Sequence, residues 1–251
     1  SFPLKKEGEK IDSFFTPKIS LMYSPNKTKN LKNEKTRLDI SNIFSFDRLS
    51  ANETVEGGQS LTIGTSYKKT NKKEERNLLE LNLAKVFRDE KNDDLPLTST
   101  IGNKSSDIFG NLILQPNKHL NFDYSFQVDN NLSTTNYNMI KTQLNVNNFV
   151  TSFEFLEERN LLGNESYLSN KTNYQFDKNH SLGFSTRKNK RTDLTEFYNL
   201  IYEYKNDCLR ASLEYNKNYY NDNDVIPEEQ FYFSLTITPL GTTGVPATKT
   251  K

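Results

Sequence analysis

The sequence predicts an all-β chain, an antiparallel up-and-down meander of about twelve strands that forms part of a transmembrane β-barrel of the outer-membrane kind. Three observations carry this. The first is alternation. In "HLNFDYSFQVDN", Leu120, Phe122, Tyr124, Phe126 and Val128 fall on one side, and Asn121, Asp123, Ser125, Gln127 and Asp129 on the other. A period of two is the signature of a half-buried strand. The second is shortage. Only 33% of the 251 residues are hydrophobic, whereas an ordinary domain carries roughly 45–50% apolar residues. A soluble sandwich needs two apolar layers, and this chain supplies one face per strand. A barrel in lipid resolves the shortage, because the bilayer covers the apolar face and water fills a polar interior. The third is length, since most candidate strands approach or exceed the roughly 9–11 residues of a tilted membrane strand.

The pattern recurs along the chain. Leu61, Ile63, Thr65 and Tyr67 alternate with Ser60, Thr62, Gly64 and Ser66; Leu79, Leu81, Leu83 and Phe87 alternate with Glu80, Asn82 and Ala84. Phe149, Thr151, Phe153 and Phe155 share a face, as do Leu168, Thr172, Tyr174 and Phe176. Leu209, Ala211, Leu213 and Tyr215 stand against Arg210, Ser212, Glu214 and Asn216, and Phe231, Phe233, Leu235 and Ile237 against Tyr232, Ser234, Thr236 and Thr238. The strands are placed near 13–23, 58–68, 76–88, 106–115, 119–129, 134–146, 148–157, 166–176, 180–188, 192–205, 208–219 and 229–239. Short turns at 116–118, 147, 177–179 and 206–207 alternate with longer links at 24–57, 89–105, 158–165 and 220–228. Short periplasmic turns and long outer loops are the habit of outer-membrane barrels. Only the connection 69–75 is long for a turn. Residues 1–251 read as a single barrel segment with strands at about 13–239, in which 240–251 form a disordered periplasmic tail.

Composition excludes several classes. Disorder is opposed by 17 Phe, 13 Tyr, a net charge of only +1 and regular patterning. The near balance of 33 basic and 32 acidic residues argues against a nucleic-acid partner. No run of about 20 apolar residues is present, so no membrane helix is expected. The chain opens at Ser1 without a signal peptide, which reads as a fragment or processed product. One cysteine supports neither an internal disulfide framework nor a Cys-based zinc site.

Three stretches, "FFTPKISLMYSPN", "NIFSFDRLSANETVEGGQSLTIGTSY" and "NDCLRASLEYNKNYYNDNDVIPEEQFYFSLTITPLG", occur in an order that resembles the C-terminal half of the LPS-assembly outer-membrane protein family (LptD). Asp47-Arg48 followed by Gly57-Gly58, and Cys208 ahead of an alternating strand ending in "TPLG", carry the resemblance in combination. It implies the final twelve strands of a twenty-six-stranded barrel in the Gram-negative outer membrane. Such a barrel inserts lipopolysaccharide into the outer leaflet through a lateral opening between its first and last strands. The implied partners are lipopolysaccharide, a plug lipoprotein, outer-membrane lipid and, through an N-terminal jelly roll, the periplasmic LPS-bridge protein. That jelly roll and the first strand are absent from this sequence, so this chain alone is not expected to transport.

On this reading Phe231, Phe233, Leu235, Ile237 and Pro239 form the lateral seam strand. Parity turns Asp123, Lys171, Arg210 and Glu214 to the lumen. Cys208 shares the lumenal parity of Arg210 and follows a short turn; the resemblance implies a disulfide to the N-terminal periplasmic region, and the alternative is a free thiol in a turn. Asp47 and Arg48 read either as an ion pair orienting the long loop or as a solvated pair of little energetic weight. Gly57 and Gly58 read as a bend or bulge entering a strand, since no helix follows to make a phosphate cradle. His119 and His180 sit beside short turns and read as surface residues. The sequons at Asn26, Asn52, Asn103, Asn131, Asn164 and Asn170 follow from an Asn/Ser/Thr-rich composition. No catalytic pair is legible among the many carboxylates, and the chain is read as no enzyme, without cofactor or metal. The competing functions are a self-contained twelve-stranded barrel (porin, adhesin or surface enzyme) and, least favoured by composition, a soluble β-rich binding protein.

Overall fold

The alternation is realised as fourteen antiparallel strands that follow one another in sequence order among the described residues. The computed structural model describes residues 1–34, 36–49, 56–160, 163–219, 228–237 and 241–249, with residues 160, 163 and 241–249 described by backbone alone. The strands are β1 Leu4–Lys6, β2 Ile11–Ser24, β3 Gly58–Asn71, β4 Arg76–Arg88, β5 Ile108–Asn117, β6 Leu120–Val128 and β7 Thr135–Val146, then β8 Phe149–Asn160, β9 Gly163–Gln175, β10 His180–Asn189, β11 Leu194–Lys205, β12 Leu209–Asn218, β13 Glu228–Ile237 and β14 Gly241–Lys249. The twelve expected strands are β2 to β13. No helix among the described residues is long and apolar enough to cross a membrane.

Three expectations are corrected. The count rises from twelve to fourteen because the short β1 pairs with Ser13–Phe15 of β2, and β14 forms where a disordered tail was expected. Neither added strand alternates clearly. Each instead lies along a long, patterned neighbour whose unpaired N–H and C=O groups template a further strand. The expected long link 158–165 is mostly strand, since β8 runs to Asn160 and β9 begins at Gly163. The connection 69–75 shortens because β3 continues to Asn71.

The Asn/Asp-rich composition acquires a physical meaning at the hairpins. Each of several turns begins with an Asn or Asp whose Oδ1 accepts backbone N–H groups two to five residues on. Asn71 accepts from Lys73 (2.9 Å), Asp177 from Asn179 (2.7 Å) and His180 (2.9 Å). Asn189 accepts from Arg191 (3.0 Å), and Asn206 from Cys208 (3.0 Å) and Leu209 (2.7 Å). A short side-chain acceptor replaces the ladder acceptor that the turning backbone loses, which is why these residues start turns.

Within the strand order the chain forms two compact units, Ser1–Asn117 with Asn121–Ile140 and Glu157–Glu165, and Lys118–Leu120 with Lys141–Leu156 and Ser166–Lys251. In the first unit, cross-strand rows separate the two faces. One face carries Leu21/Leu61/Phe87, Ile19/Ile63 and Phe15/Tyr67/Leu81/Leu112. It is open: Leu21 is 81% exposed. The other carries Ser20/Thr62/Val86, Lys18/Gly64/Ala84/Phe109 and Thr16/Ser66/Asn82/Asn111, and the long links fold onto it.

In the second unit the rows are equally regular. Tyr174, Leu182, Tyr202, Leu213 and Phe233 share one row, and Thr172, Phe184, Leu200, Tyr215 and Phe231 the next. Above them the row turns polar at Asn170, Thr186, Tyr198, Lys217 and Glu229. Phe153 is 49% and Phe233 46% exposed. None of the apolar residues expected to face lipid, Leu61, Ile63, Leu81, Phe122, Tyr124, Phe153, Leu213, Phe233 and Leu235, is among the buried core. The exposed apolar residues stand in contiguous rows, the pattern of a face that meets a membrane or a partner.

The turn between β6 and β7 provides a pH test. The Ser133 hydroxyl (2.7 Å), with backbone N–H groups of Ser133 (2.7 Å) and Thr134 (3.2 Å), donates to Asp129 and lowers its carboxyl below the ordinary value against the opposing effect of burial. A depressed carboxylate contributes stability that is full above its unfolded value, near 3.9, and is lost as pH falls through the folded value. Amide-exchange protection of Ser133 and Thr134 is therefore expected to hold from neutral pH to about pH 4 and to fall only below it. Protection lost already between pH 6 and about pH 5 would contradict the assignment.

Candidate functional site

Two long links meet on the polar face of β3–β5. Leu38, Ile43 and Leu49 from the first and Leu95 and Ile101 from the second pack on Ala84, Val86 and Phe109 as one buried cluster. The links also clasp each other: Leu31 N–H donates to Asp94 O (2.7 Å), Leu97 N–H to Lys32 O (3.1 Å) and Thr98 Oγ1 to Thr36 O (2.7 Å). Gly64 makes room for the contact. A Cβ there would lie 2.7 Å from Cζ of Phe44 and 3.0 Å from Cβ of Ala84. Phe44, stacked 5.7 Å from Lys18 Nζ, thus seats the link against the strands.

Beneath this cluster lies a buried charge centre. Arg48 is 2% exposed in its side chain, Glu56 2% and Arg88 1%. A guanidinium offers five N–H donors, and all five of Arg48 are used. Its Nε donates to Glu56 Oε2 (2.5 Å), Nη2 to Glu56 Oε1 (2.6 Å) and Ser60 Oγ (2.8 Å), Nη1 to Thr62 Oγ1 (3.0 Å) and Ile43 O (3.4 Å). Arg88 donates to the same Glu56 oxygen and to the Gly57 carbonyl, while its buried Nε has no partner among the described residues. The centre joins both ends of the stretch 48–56 to β3 and to the end of β4.

The Gly57-Gly58 pair serves this centre. Gly58 has φ +88, which other residues rarely adopt. At Gly57 a Cβ would lie 2.1 Å from Asn26 O, and its N–H donates to Thr28 Oγ1 (2.8 Å). The pair is a backbone bend, as its sequence reading held. Asp47 is exposed, and the partner of Arg48 is Glu56 rather than its neighbour. Sequence reasoning missed Glu56, Arg88, Ser60 and Thr62. Glu56 stands directly before the glycine pair, but no spacing rule links it to a residue eight back and another thirty-two ahead.

Next to the centre, Arg37–Ser41 roofs a cleft of about 520 Å3 over the polar face of β4–β7. Arg37 pairs with Glu158 and stacks 4.1 Å over the Tyr137 ring. Side-chain amides line the floor, each held by a carboxylate. Asn82 Nδ2 donates to Glu80 (3.0 Å), Asn111 Nδ2 to Asp123 (2.8 Å) and Gln127 Nε2 to Asp107 (2.8 Å).

The remaining sequence-read residues are dispersed. Asp123 belongs to the cleft network. Lys171, Arg210 and Glu214 lie on the polar face of the second unit, where Arg210 pairs with Glu203 (2.5 Å) and Glu214 accepts from Asn199. Cys208 is an exposed free thiol in the β11–β12 turn. Phe231, Phe233 and Ile237 are exposed and Leu235 half-buried; Pro239 lies outside the described residues. The outer edge of β13 is paired with β14 from Gln230 to Ile237. His119 Nδ1 lies 2.7 Å from Asn145 O, and His180 Nδ1 2.5 Å from the Tyr202 hydroxyl, beside short turns.

A meander of long strands with one open apolar face, and one polar face partly roofed by its own loops, belongs to the outer-membrane β-barrel class. The sequence model of the family described as "LptD: LPS transport system D" matches residues 1–177. The chain belongs to this family, whose members are outer-membrane transport and assembly proteins. No curated protein matches it.

The charge centre yields a mutational test. Glu56→Gln would leave two buried guanidiniums facing a neutral amide, and a broken buried pair costs about 3–5 kcal/mol. Loss of protease resistance in 36–49 and a lowered melting temperature are expected. Asp47→Asn, at an exposed site, should change stability by no more than about 0.5 kcal/mol. Equal effects of the two would show that the centre does not hold the loop.

Proposed function

We propose that this chain is the C-terminal part of the barrel of an outer-membrane translocon that inserts lipopolysaccharide into the outer leaflet through a lateral opening. The observation that carries this reading is the division of every patterned strand into an apolar open face and a polar face, in a chain of the LptD family. The open face meets lipid. The polar face, with Asp123, Lys171, Arg210 and Glu214, lines an aqueous lumen that admits the saccharide, while a weak seam lets acyl chains pass sideways into the bilayer.

In this reading Phe231, Phe233, Leu235, Ile237 and Pro239 remain the seam strand, and exchange of β14 for another strand of the barrel opens the edge. The partners are lipopolysaccharide, the plug lipoprotein, the periplasmic LPS-bridge protein and outer-membrane lipid. A self-contained barrel is the alternative, and a continuous ladder between the first and last strands would favour it.

Two outcomes test this. Leu213→Arg places a charge amid the apolar rows and should destabilise the membrane-inserted chain by about 2–4 kcal/mol if the site is near the bilayer midplane. The readout is heat-modifiable migration and the amount of lipopolysaccharide delivered to the surface by the full-length protein. Undiminished insertion and delivery would remove the lipid-facing assignment. In the full-length protein, Cys208 is proposed to be oxidised to a cysteine of the N-terminal periplasmic region. Non-reducing electrophoresis should then separate wild type from Cys208→Ser. Identical mobility would make Cys208 a bystander.

A further inference from the structure

We infer that the cleft under Arg37–Ser41 binds a neutral saccharide. The inference rests on the proposed role of the polar face as a saccharide path, and it adds a defined site to that path. Three features select the ligand chemistry.

The first is the donor–acceptor balance. Asn82, Asn111 and Gln127 each commit one N–H of the amide to a carboxylate, and Asn111 Nδ2 also donates to Ser125 Oγ (3.1 Å), which fixes the orientation of the amides. Their oxygens accept no hydrogen bond among the described residues. The floor therefore offers three preorganised acceptors beside the remaining amide N–H groups of Asn82 and Gln127, and it suits an occupant that both donates and accepts, as vicinal hydroxyls do.

The second is charge. The guanidinium at the mouth, Arg37, is already spent on Glu158 and on the Tyr137 ring. Asp39 is engaged by the Ser41 hydroxyl (2.5 Å) and backbone N–H (2.7 Å). Glu80 holds Asn82 and stands opposite Lys68 in the ladder. With the guanidinium already paired and the carboxylates of Asp39, Glu80, Asp107 and Asp123 around the cleft, the site disfavours a phosphate and suits a neutral ligand.

The third is shape. Leu38, Ile40 and Met139 supply an apolar wall against which the C–H face of a pyranose packs. About 520 Å3 suits one or two sugar rings, within the range of small-molecule sites.

The test is saturation-transfer NMR on the full chain in detergent micelles, with chitobiose and maltose as neutral probes and glucose 1-phosphate as the anionic one. Both disaccharides should receive saturation. Affinity should fall roughly three- to tenfold in Asn111→Leu and again in Gln127→Met, since each removes one hydrogen-bond acceptor. Met139→Trp fills the cleft from the β7 wall without touching the amide network, and should abolish transfer if the amide variants fail to fold. The site is overturned if neither disaccharide receives saturation, if the variants bind as wild type does, or if glucose 1-phosphate binds more tightly than both. Surface delivery of lipopolysaccharide by the same full-length variants is scored separately. Delivery without saccharide binding removes the site and leaves the transport reading. Saccharide binding without delivery by wild type removes the transport reading and leaves the site.

Discussion

Each strand of this chain has apolar side chains for one face only, and the rest of the structure follows from that constraint. Rows such as Leu182/Tyr202/Leu213/Phe233 run across neighbouring strands and meet no second layer among the described residues. Burying a large apolar side chain is worth about 1.5–3 kcal/mol, so a sheet that leaves this many uncovered in water would be unstable. In the proposed reading, lipid supplies the missing layer. The protein is then free to spend its few remaining apolar residues elsewhere, and it places them under its loops.

That second use explains where the buried core lies. Leu38, Ile43, Leu49, Leu95 and Ile101 come from connections, not from strands, and they close over Ala84, Val86 and Phe109. A loop held only by apolar contacts could slide along the face. The Arg48–Glu56–Arg88 centre sets its register, because Ser60 and Thr62 stand two residues apart on β3 at the spacing the guanidinium requires. Buried ion pairs often contribute less to net stability than to a unique arrangement. Here the arrangement keeps the links on the polar face of β3–β5.

The polar face therefore has two characters. In the second unit it carries solvated pairs such as Arg210–Glu203 and Arg187–Glu196, whose partners are partly exposed and contribute little. In the first unit the loops exclude water from part of the face and leave a cleft whose amides are fixed by carboxylates. Under the proposed function, a passage for a glycolipid needs both, a wet wall that does not retain the cargo and a place where a specific contact can form.

What the sequence determined by itself is the local physics. A period of two places every side chain on one face or the other, so the twelve strands, their faces and the shortage of a partner layer were legible from alternation, and the family from the order of motifs. Asn and Asp at hairpin starts act on backbone groups within a few residues, and they too are local. What only the tertiary structure decided involves residues distant in sequence. Arg48 reads equally well as the partner of Asp47 until the loop folds and brings Glu56 and Arg88 to it. The strand character of β1 and β14 depends on a neighbour's open edge rather than on their own pattern. Asn82, Asn111 and Gln127 look like ordinary polar-face residues until three strands align them and a link roofs them over. Alternation assigns a face, but it carries no information about which residues from another segment will cover that face. Long-range packing supplies that, and with it the candidate site.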